Sequence, residues 1–295
     1  MKIIFDRSAF HDHLDLLKDS RLRQLTQDCK ITIYHTVEFL DETLRMADSA
    51  RPGRKNKLKL QWPFLQSICN GGWFRPLLFG PPNLKSVCDE ELDESAKDRG
   101  WALVPSPYRS DVEAKATRFL EGSGPLPELI SSRPIYDQIA QIKKQNIVTR
   151  FKLRSEQDLP EDVTFAQYHQ ANFFDAARLL IHRLRHPDQA QISPALFDQP
   201  DATFDAWKRD CTKFPHFTAF VGFFIYSLYD AEKNQNSPLD RNWQGDAEQL
   251  CFLVDVDAMV SSDLRFMKEA FEALWQPSQK HFFTPEEFVA FLSQL

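Results

Sequence analysis

Acidic residues sit where carboxylate chemistry could be assembled. Two short apolar runs each close on an aspartate, KIIF on Asp6 and AMVSS on Asp263. Asp246 opens a helical pattern, GDAEQLCFLV, and Asp240 in SPLDRNWQGD lies just before it. Glu38 and Glu42 in VEFLDETLRMA are one helical turn apart, so both can project from one face. Asp257 precedes the apolar run that ends at Asp263. Carboxylates that converge repel one another unless a cation neutralises them. Hard divalent ions take oxygen ligands, and Mg²⁺ in particular combines a few carboxylates with waters and substrate phosphate oxygens. Such a cluster suits phosphodiester hydrolysis, with one ion activating water and one stabilising the leaving oxygen.

The elements that must position these acids follow a β-α-β-α rhythm at the start. Lys2 to Phe5 has the continuous apolar character of a buried parallel strand. Phe10, Leu14, Leu17, Leu22 and Leu25 recur at helical spacing between about Ser8 and Asp28. ITIY predicts a second strand, and Thr36 can cap the helix carrying Val37, Leu40 and Leu44. The α/β rhythm returns near the end. AMVSS is a strand, LRFMKEAFEALW an amphipathic helix and KHFFT a short strand. TPEEFVAFL is a helix with Thr284 at the cap and Pro285 in its first turn. Parallel α/β sheets place active sites at the carboxyl ends of their strands. Asp6 and Asp263 are predicted there.

The middle is different. No acidic residue occurs from Ser49 to Val87, whereas Arg51, Arg54, Lys55, Lys57, Lys59, Arg75 and Lys85 alternate with Trp62, Phe64, Trp73, Phe74 and Phe79. Prolines 52, 63, 76, 81 and 82 predict irregular stretches. Cations on phosphates and aromatic rings on bases would make this a nucleic-acid surface, with Arg51, Arg54, Lys55, Lys57, Lys59, Trp62, Trp73 and Arg75 as its contacts. A packed hairpin with core aromatics and solvated charges fits the same residues equally. The acid-free run Lys143 to Arg154 has the same two readings. Residues 99–135 read as loop, and helical patterns follow at about 135–148, 164–185 and 200–232. The expected architecture is a three-layer α/β/α domain with a parallel sheet, split between 1–50 and 236–295, around a long, mostly helical insertion at 51–235.

Composition narrows the function classes. A net charge of −6 over 295 residues excludes a uniformly basic coat, though local patches can still steer a polyanion. The five cysteines include no CxxC pair, which argues against a zinc site or disulfide framework and fits a reducing cytoplasm. MKIIFDRSAF has no apolar run of signal-peptide length, and Phe217 to Leu228 is too short to span a bilayer. No membrane association is expected. His182 and His186 have i, i+4 spacing, with His169 nearby, but without HExxH they read as structural or surface residues. Walker A, GxGxxG and GxSxG motifs are absent.

The ordered acids resemble those of PIN-like nucleases. The matching residues are Asp6 in KIIFDRSAF, Glu42 in VEFLDETL after Thr36, and Asp246 and Asp263 in GDAEQLCFLVDVDAMVSSD. VDVDAMVSSDLRF is the most specific segment, with Asp257, Ser261 and Phe266 following the family outline. The resemblance covers about the first 50 and last 60 residues. It implies that Asp6, Glu42, Asp246 and Asp263 bind Mg²⁺ or Mn²⁺, with Glu38, Asp240 and Asp257 as secondary ligands and Ser261 or Ser262 hydrogen-bonded beside them. The second acid stays open between Glu38 and Glu42; the ETL context favours Glu42. The implied activity is endonucleolytic cleavage of RNA, ahead of DNA, or of other single-stranded nucleic acid. A toxin or phage-defence role and a protein regulator are further implications.

Each acid also has an ordinary job open to it. Asp6, Asp246 and Asp263 could cap helices, and Glu38 and Glu42 could be solvated. The rival functions are a catalytically silent PIN-like scaffold that binds a partner protein or nucleic acid, and another metal-dependent phosphoesterase.

Overall fold

A computed structural model describes residues 1–48, 53–76, 101–104, 106–129, 162–183, 200–213, 215–233, 246, 249–276 and 278–295. Asp240, Arg51, Lys85, Lys143 to Arg154, His186 and the helical pattern at 135–148 lie outside them.

The sheet is built from β1 (Lys2–Phe5), β2 (Thr32–Thr36), β3 (Gly72–Pro76), β4 (Trp101–Leu103), β5 (Ala258–Val260) and β6 (His281–Phe283). Their order is β4-β3-β2-β1-β5-β6. Five strands run parallel, and β4 is an antiparallel edge strand paired with β3. From β1 the chain steps outward through β2 to β3. It later returns to the other side of β1 with β5 and then β6. The strand order therefore reverses between β1 and β5, and such a switch point opens a crevice at the strands' carboxyl ends.

Strand alternation divides the core into two layers. Ile3, Phe5, Ile33, Trp73, Ala258 and Val260 face one apolar cluster. Ile4, Phe74 and Met259 face the other. Successive side chains on a strand point to opposite faces, which makes a sheet covered on both sides the natural outcome.

The first layer comprises α1 (Arg7–Asp12), α2 (Leu14–Asp19), α3 (Leu22–Gln27), α4 (Val37–Asp48), α5 (Arg54–Ile68) and α6 (Ser106–Glu121). The second is dominated by α7 (Phe165–Arg183), α8 (Pro200–Arg209), α9 (Pro215–Lys233) and α10 (Met267–Trp275). α11 (Pro285–Leu292) closes the chain and packs Phe288 and Leu292 into the first layer.

Several expectations change. The single helix predicted between Ser8 and Asp28 is three short ones. His13 breaks the first turn series with φ −119°, and Ser20 accepts from Leu22 N at 3.2 Å to start the third. The apolar spacing was sound, because Phe10, Leu14, Leu17, Leu22 and Leu25 are all buried. The span 51–235 is not a separate insertion. It supplies β3 and β4 to the sheet, and α5 and α6 to the first layer. The region expected to be broken by prolines is helical through Pro63, and the stretch read as loop holds β4 and α6.

Gly71 shows how tightly β3 joins. A Cβ there would meet Tyr34 Cε1 at 2.7 Å and Thr32 Cγ2 at 2.8 Å, while its amide donates to Ile33 O at 2.9 Å. Only a residue without a side chain fits so close to β2.

Candidate functional site

β1 and β5 lie side by side in register, with Phe5 opposite Val260. The residues that follow them meet at the crevice. Asp6 N donates to Val260 O at 2.9 Å, extending the ladder by one bond. Asp6 is extended (φ −78°, ψ 152°) and caps α1, accepting from Ser8 N at 3.2 Å. The expected cap role is thus present, in the side chain that also ends the strand.

A hydroxyl network joins the two strand ends. Ser8 Oγ donates to Asp6 Oδ2, and Ser261 Oγ donates to the same oxygen at 3.0 Å. Ser8 Oγ accepts from Ser262 N at 3.2 Å, and Ser261 Oγ accepts from Asp263 N at 3.1 Å. Each hydroxyl has one proton, and both protons go to Asp6. The serines therefore act as relays between the Asp6 carboxylate and the backbone entering Asp263. Ser261 is fully buried and held in the sheet by its amide bond to Phe283 O at 3.1 Å.

Asp263 turns the chain into α10. Its Oδ1 accepts from Arg265 N at 3.0 Å and Phe266 N at 2.9 Å. Phe266 then meets Phe223 and Tyr226 on α9 edge-on or tilted, at 5.8 and 5.9 Å between centroids. Burial pushes the Tyr226 phenol pKa up, with Asp230 and Glu269 adding to the rise.

α4 supplies the second-strand acids. Glu42 is paired with Arg7, Nε to Oε2 at 3.2 Å. Arg7 also donates through Nη1 to Met46 Sδ. Glu38 is buried one turn earlier on the same helix. Asp41, also buried, takes Arg45 Nε on both oxygens at 2.9 and 2.8 Å. Asp246 is helical and half-buried.

The structure brings together Asp6, Ser261 and the Asp263 backbone, and pairs Glu42 with Arg7, the residue after Asp6. It does not bring Asp257 to them. Asp257 Oδ2 accepts from Lys2 N at 2.7 Å at the opposite end of β1, about 13 Å away along the strand. Parallel pairing puts the residue before β5 beside the start of β1, so Asp257 cannot join Asp6 as a ligand. Trp62 and Trp73 are also corrected. Both are core side chains, exposed by 3% and 1%, and offer no ring to a base. Lys55 lies 4.1 Å above the Phe119 ring, Arg54 is half-buried, and Lys57 and Lys59 are exposed. The Arg75 side chain lies outside the described residues.

Among the described residues, no three His, Cys, Asp or Glu side chains lie close enough to hold a metal ion together. Carboxylate oxygens are the donor type that Mg²⁺ or Mn²⁺ would take. All three donors to Asp6 address Oδ2, and both donors to Asp263 address Oδ1. Among the described residues, the other oxygen of each receives no hydrogen bond. Mg²⁺ commonly takes one or two carboxylates, with water and substrate oxygens completing its shell.

Sequence reasoning passed over Ser8, Arg7 and His11. Ser8 had a signal: an Asp followed two residues later by Ser at a helix start is a common cap pattern. Arg7 and His11 had none, because their partners are on α4 and α5. The described cysteines are free, with Cys69 buried. Among the described residues, no helix is long and apolar enough to cross a membrane. His169 is packed between Phe165 and Phe173, and burial lowers its pKa. Compared with family models, with curated proteins and with solved structures, the chain matches none.

Proposed function

We propose that this chain is a metal-dependent nuclease of PIN-like type, hydrolysing phosphodiester bonds in RNA or other single-stranded nucleic acid. The observation that carries this reading is the network joining Asp6, Ser8, Ser261 and the Asp263 backbone at the switch point between β1 and β5. The position of two aspartates at strand ends, with Ser261 hydrogen-bonded beside them, agrees with the outline on which the resemblance rests. Asp6 and Asp263 would hold the ion, with water and substrate oxygens completing its shell; among the described residues, Glu42, paired with Arg7, and Asp246 do not complete a cluster of three acids with them. A bound Mg²⁺ or Mn²⁺ would supply charge stabilisation and an activated water.

The chain's own residues fix the carboxylates. Ser8 and Ser261 lock the Asp6 rotamer through Oδ2 and keep Oδ1 as the oxygen available to a ligand. The cap on Oδ1 does the same for Asp263. Preorganised oxygens need no rearrangement when charge arrives. Asp6→Asn and Asp263→Asn test the reading in a Mn²⁺-supplemented assay on labelled RNA and single-stranded DNA. Loss of cleavage in both variants is expected. Undiminished cleavage by both removes the assignment.

One observation favours a second reading, a catalytically silent PIN-like scaffold. Glu42 is engaged by Arg7, a pairing that neutralises an acid without a metal. Titration calorimetry with Mn²⁺ separates the two: heat of binding that disappears in Asp6→Asn supports the nuclease, and no heat in the parent protein supports the scaffold.

A further inference from the structure

We infer that Arg7 and Lys57 together contact successive phosphates of a single strand entering the β1/β5 crevice, while Lys59, equally basic and exposed, takes no part. The inference rests on the phosphodiester reading above and deepens it by naming the approach route.

The geometry starts at His11. Arg7 and His11 are i, i+4 on α1, and so share a face. His11 Nδ1 bonds Gln61 Oε1 on α5 at 2.9 Å, and its Nε2 meets Thr43 Oγ1 on α4 at 3.2 Å. Lys57 lies i−4 from Gln61, on the strip of α5 that turns toward α1. Phe64 on the same flank stacks against Phe10 at 6.1 Å, so this flank of α5 faces α1. His11 is held below its usual pKa, first by burial and then by repulsion from Arg7 and Lys57. Arg7, one turn before His11 on α1, and Lys57, one turn before Gln61 on α5, thus both approach the His11–Gln61 contact. The opposing acids are Asp12, exposed on α1, and Glu42, which engages one edge of Arg7.

Lys59 is two residues beyond Lys57, roughly 200° further round the helix. It falls on the flank where Lys55 caps the Phe119 ring of α6. Among the described residues, neither Lys57 nor Lys59 forms an ion pair. Their difference is direction alone. Arg7 follows Asp6 directly, its side chain is 32% exposed, and it can present a guanidinium edge to phosphate beside the site.

The test measures binding of fluorescent single-stranded RNA and DNA by anisotropy, across a salt series, in the Asp6→Asn background. Lys57→Ala should weaken binding severalfold, uniformly across sequences, and flatten the salt dependence by about 0.7 in log–log slope. Arg7→Gln should do the same, and Lys59→Ala should match the parent. Equal losses in Lys57→Ala and Lys59→Ala would indicate a diffuse basic coat and overturn the proposal. So would an unchanged Lys57→Ala, or a parent protein that binds no oligonucleotide. Circular dichroism melts, with Lys57→Gln as a second variant, guard against misfolding. Cleavage that needs Asp6 alongside a silent Lys57→Ala sinks this route and leaves the nuclease standing. Weakened binding in Lys57→Ala alongside cleavage indifferent to Asp6 does the reverse.

Discussion

The two ends of the sheet use similar residues for different purposes. At the amino end, polar side chains are consumed by the backbone. Asn70 accepts from Ile33 N at 2.8 Å and donates to Thr26 O and Ile31 O, both at 2.9 Å. Asp257 takes Lys2 N, and Lys280 Nζ donates to Val256 O at 2.8 Å. These groups satisfy strand starts that would otherwise lose their water without a partner. At the carboxyl end, side chains bond mainly to one another or to loop amides, and among the described residues one oxygen each of Asp6 and Asp263 receives no hydrogen bond. An aspartate at one end is mortar. An aspartate at the other is anchored through one oxygen only.

Substitutions at the two ends should therefore fail differently. Asp6→Asn should lower cleavage by about a hundred- to a thousandfold, as expected for a group that stabilises charge at a reacting centre, with little change in melting temperature. Initial rates on labelled RNA, together with a thermal melt, check both halves. A large drop in stability with matching loss of rate would place Asp6 with the mortar.

The buried ring of His35 belongs to neither end and reports on the layer between. His35 is fully buried on β2, with Nε2 bonded to Leu65 O at 3.0 Å, and burial lowers its pKa to about 4. The unfolded chain binds a proton at His35 below about pH 6.5, and the folded chain does so only near pH 4. Stability should therefore fall as pH drops through that window, by on the order of 3 kcal/mol in total. Urea unfolding at neutral pH and in mild acid measures it, and His35→Gln should flatten the response.

Asn70→Ala should cost about 1 kcal/mol by leaving part-buried backbone groups without their side-chain partner, without altering the rate of the folded fraction. A selective loss of activity would break the contrast from the other side. An effect of similar size is expected at α11. Thr284 and Glu287 form a reciprocal capping box, Oγ1 to Glu287 N at 3.2 Å and Oε2 to Thr284 N at 2.8 Å. Thr284→Ala should cost about 1 kcal/mol and leave cleavage unchanged.

Much of this was legible along the chain. β1, β2, β5, β6 and α11 were each announced by local pattern: apolar runs, β-branched residues, or Thr284 followed by Pro285 and acids. The strand-end placement of Asp6 and Asp263 came with them. β3 and β4 were not legible, because Trp73 and Phe74 sit among cations and prolines and look like an exposed basic-aromatic surface. Burial of Trp62 and Trp73 reversed that expectation. Nothing local to Trp73 says that Arg109 of α6 will lie over its ring.

The sequence by itself determined an α/β body with a parallel sheet and two aspartates at strand ends, because periodicity and strand termination are properties of neighbouring residues. Only the tertiary structure decided which strand ends meet and which partner each acid takes. Parallel pairing of β1 with β5 puts Asp6 beside Ser261 and sends Asp257 to the far end. The packing of α1 against α4 and α5 gives Arg7 to Glu42 and sets Lys57 apart from Lys59. Those outcomes depend on strand order and helix rotation, which come from burying two apolar faces at once and are written in no single segment.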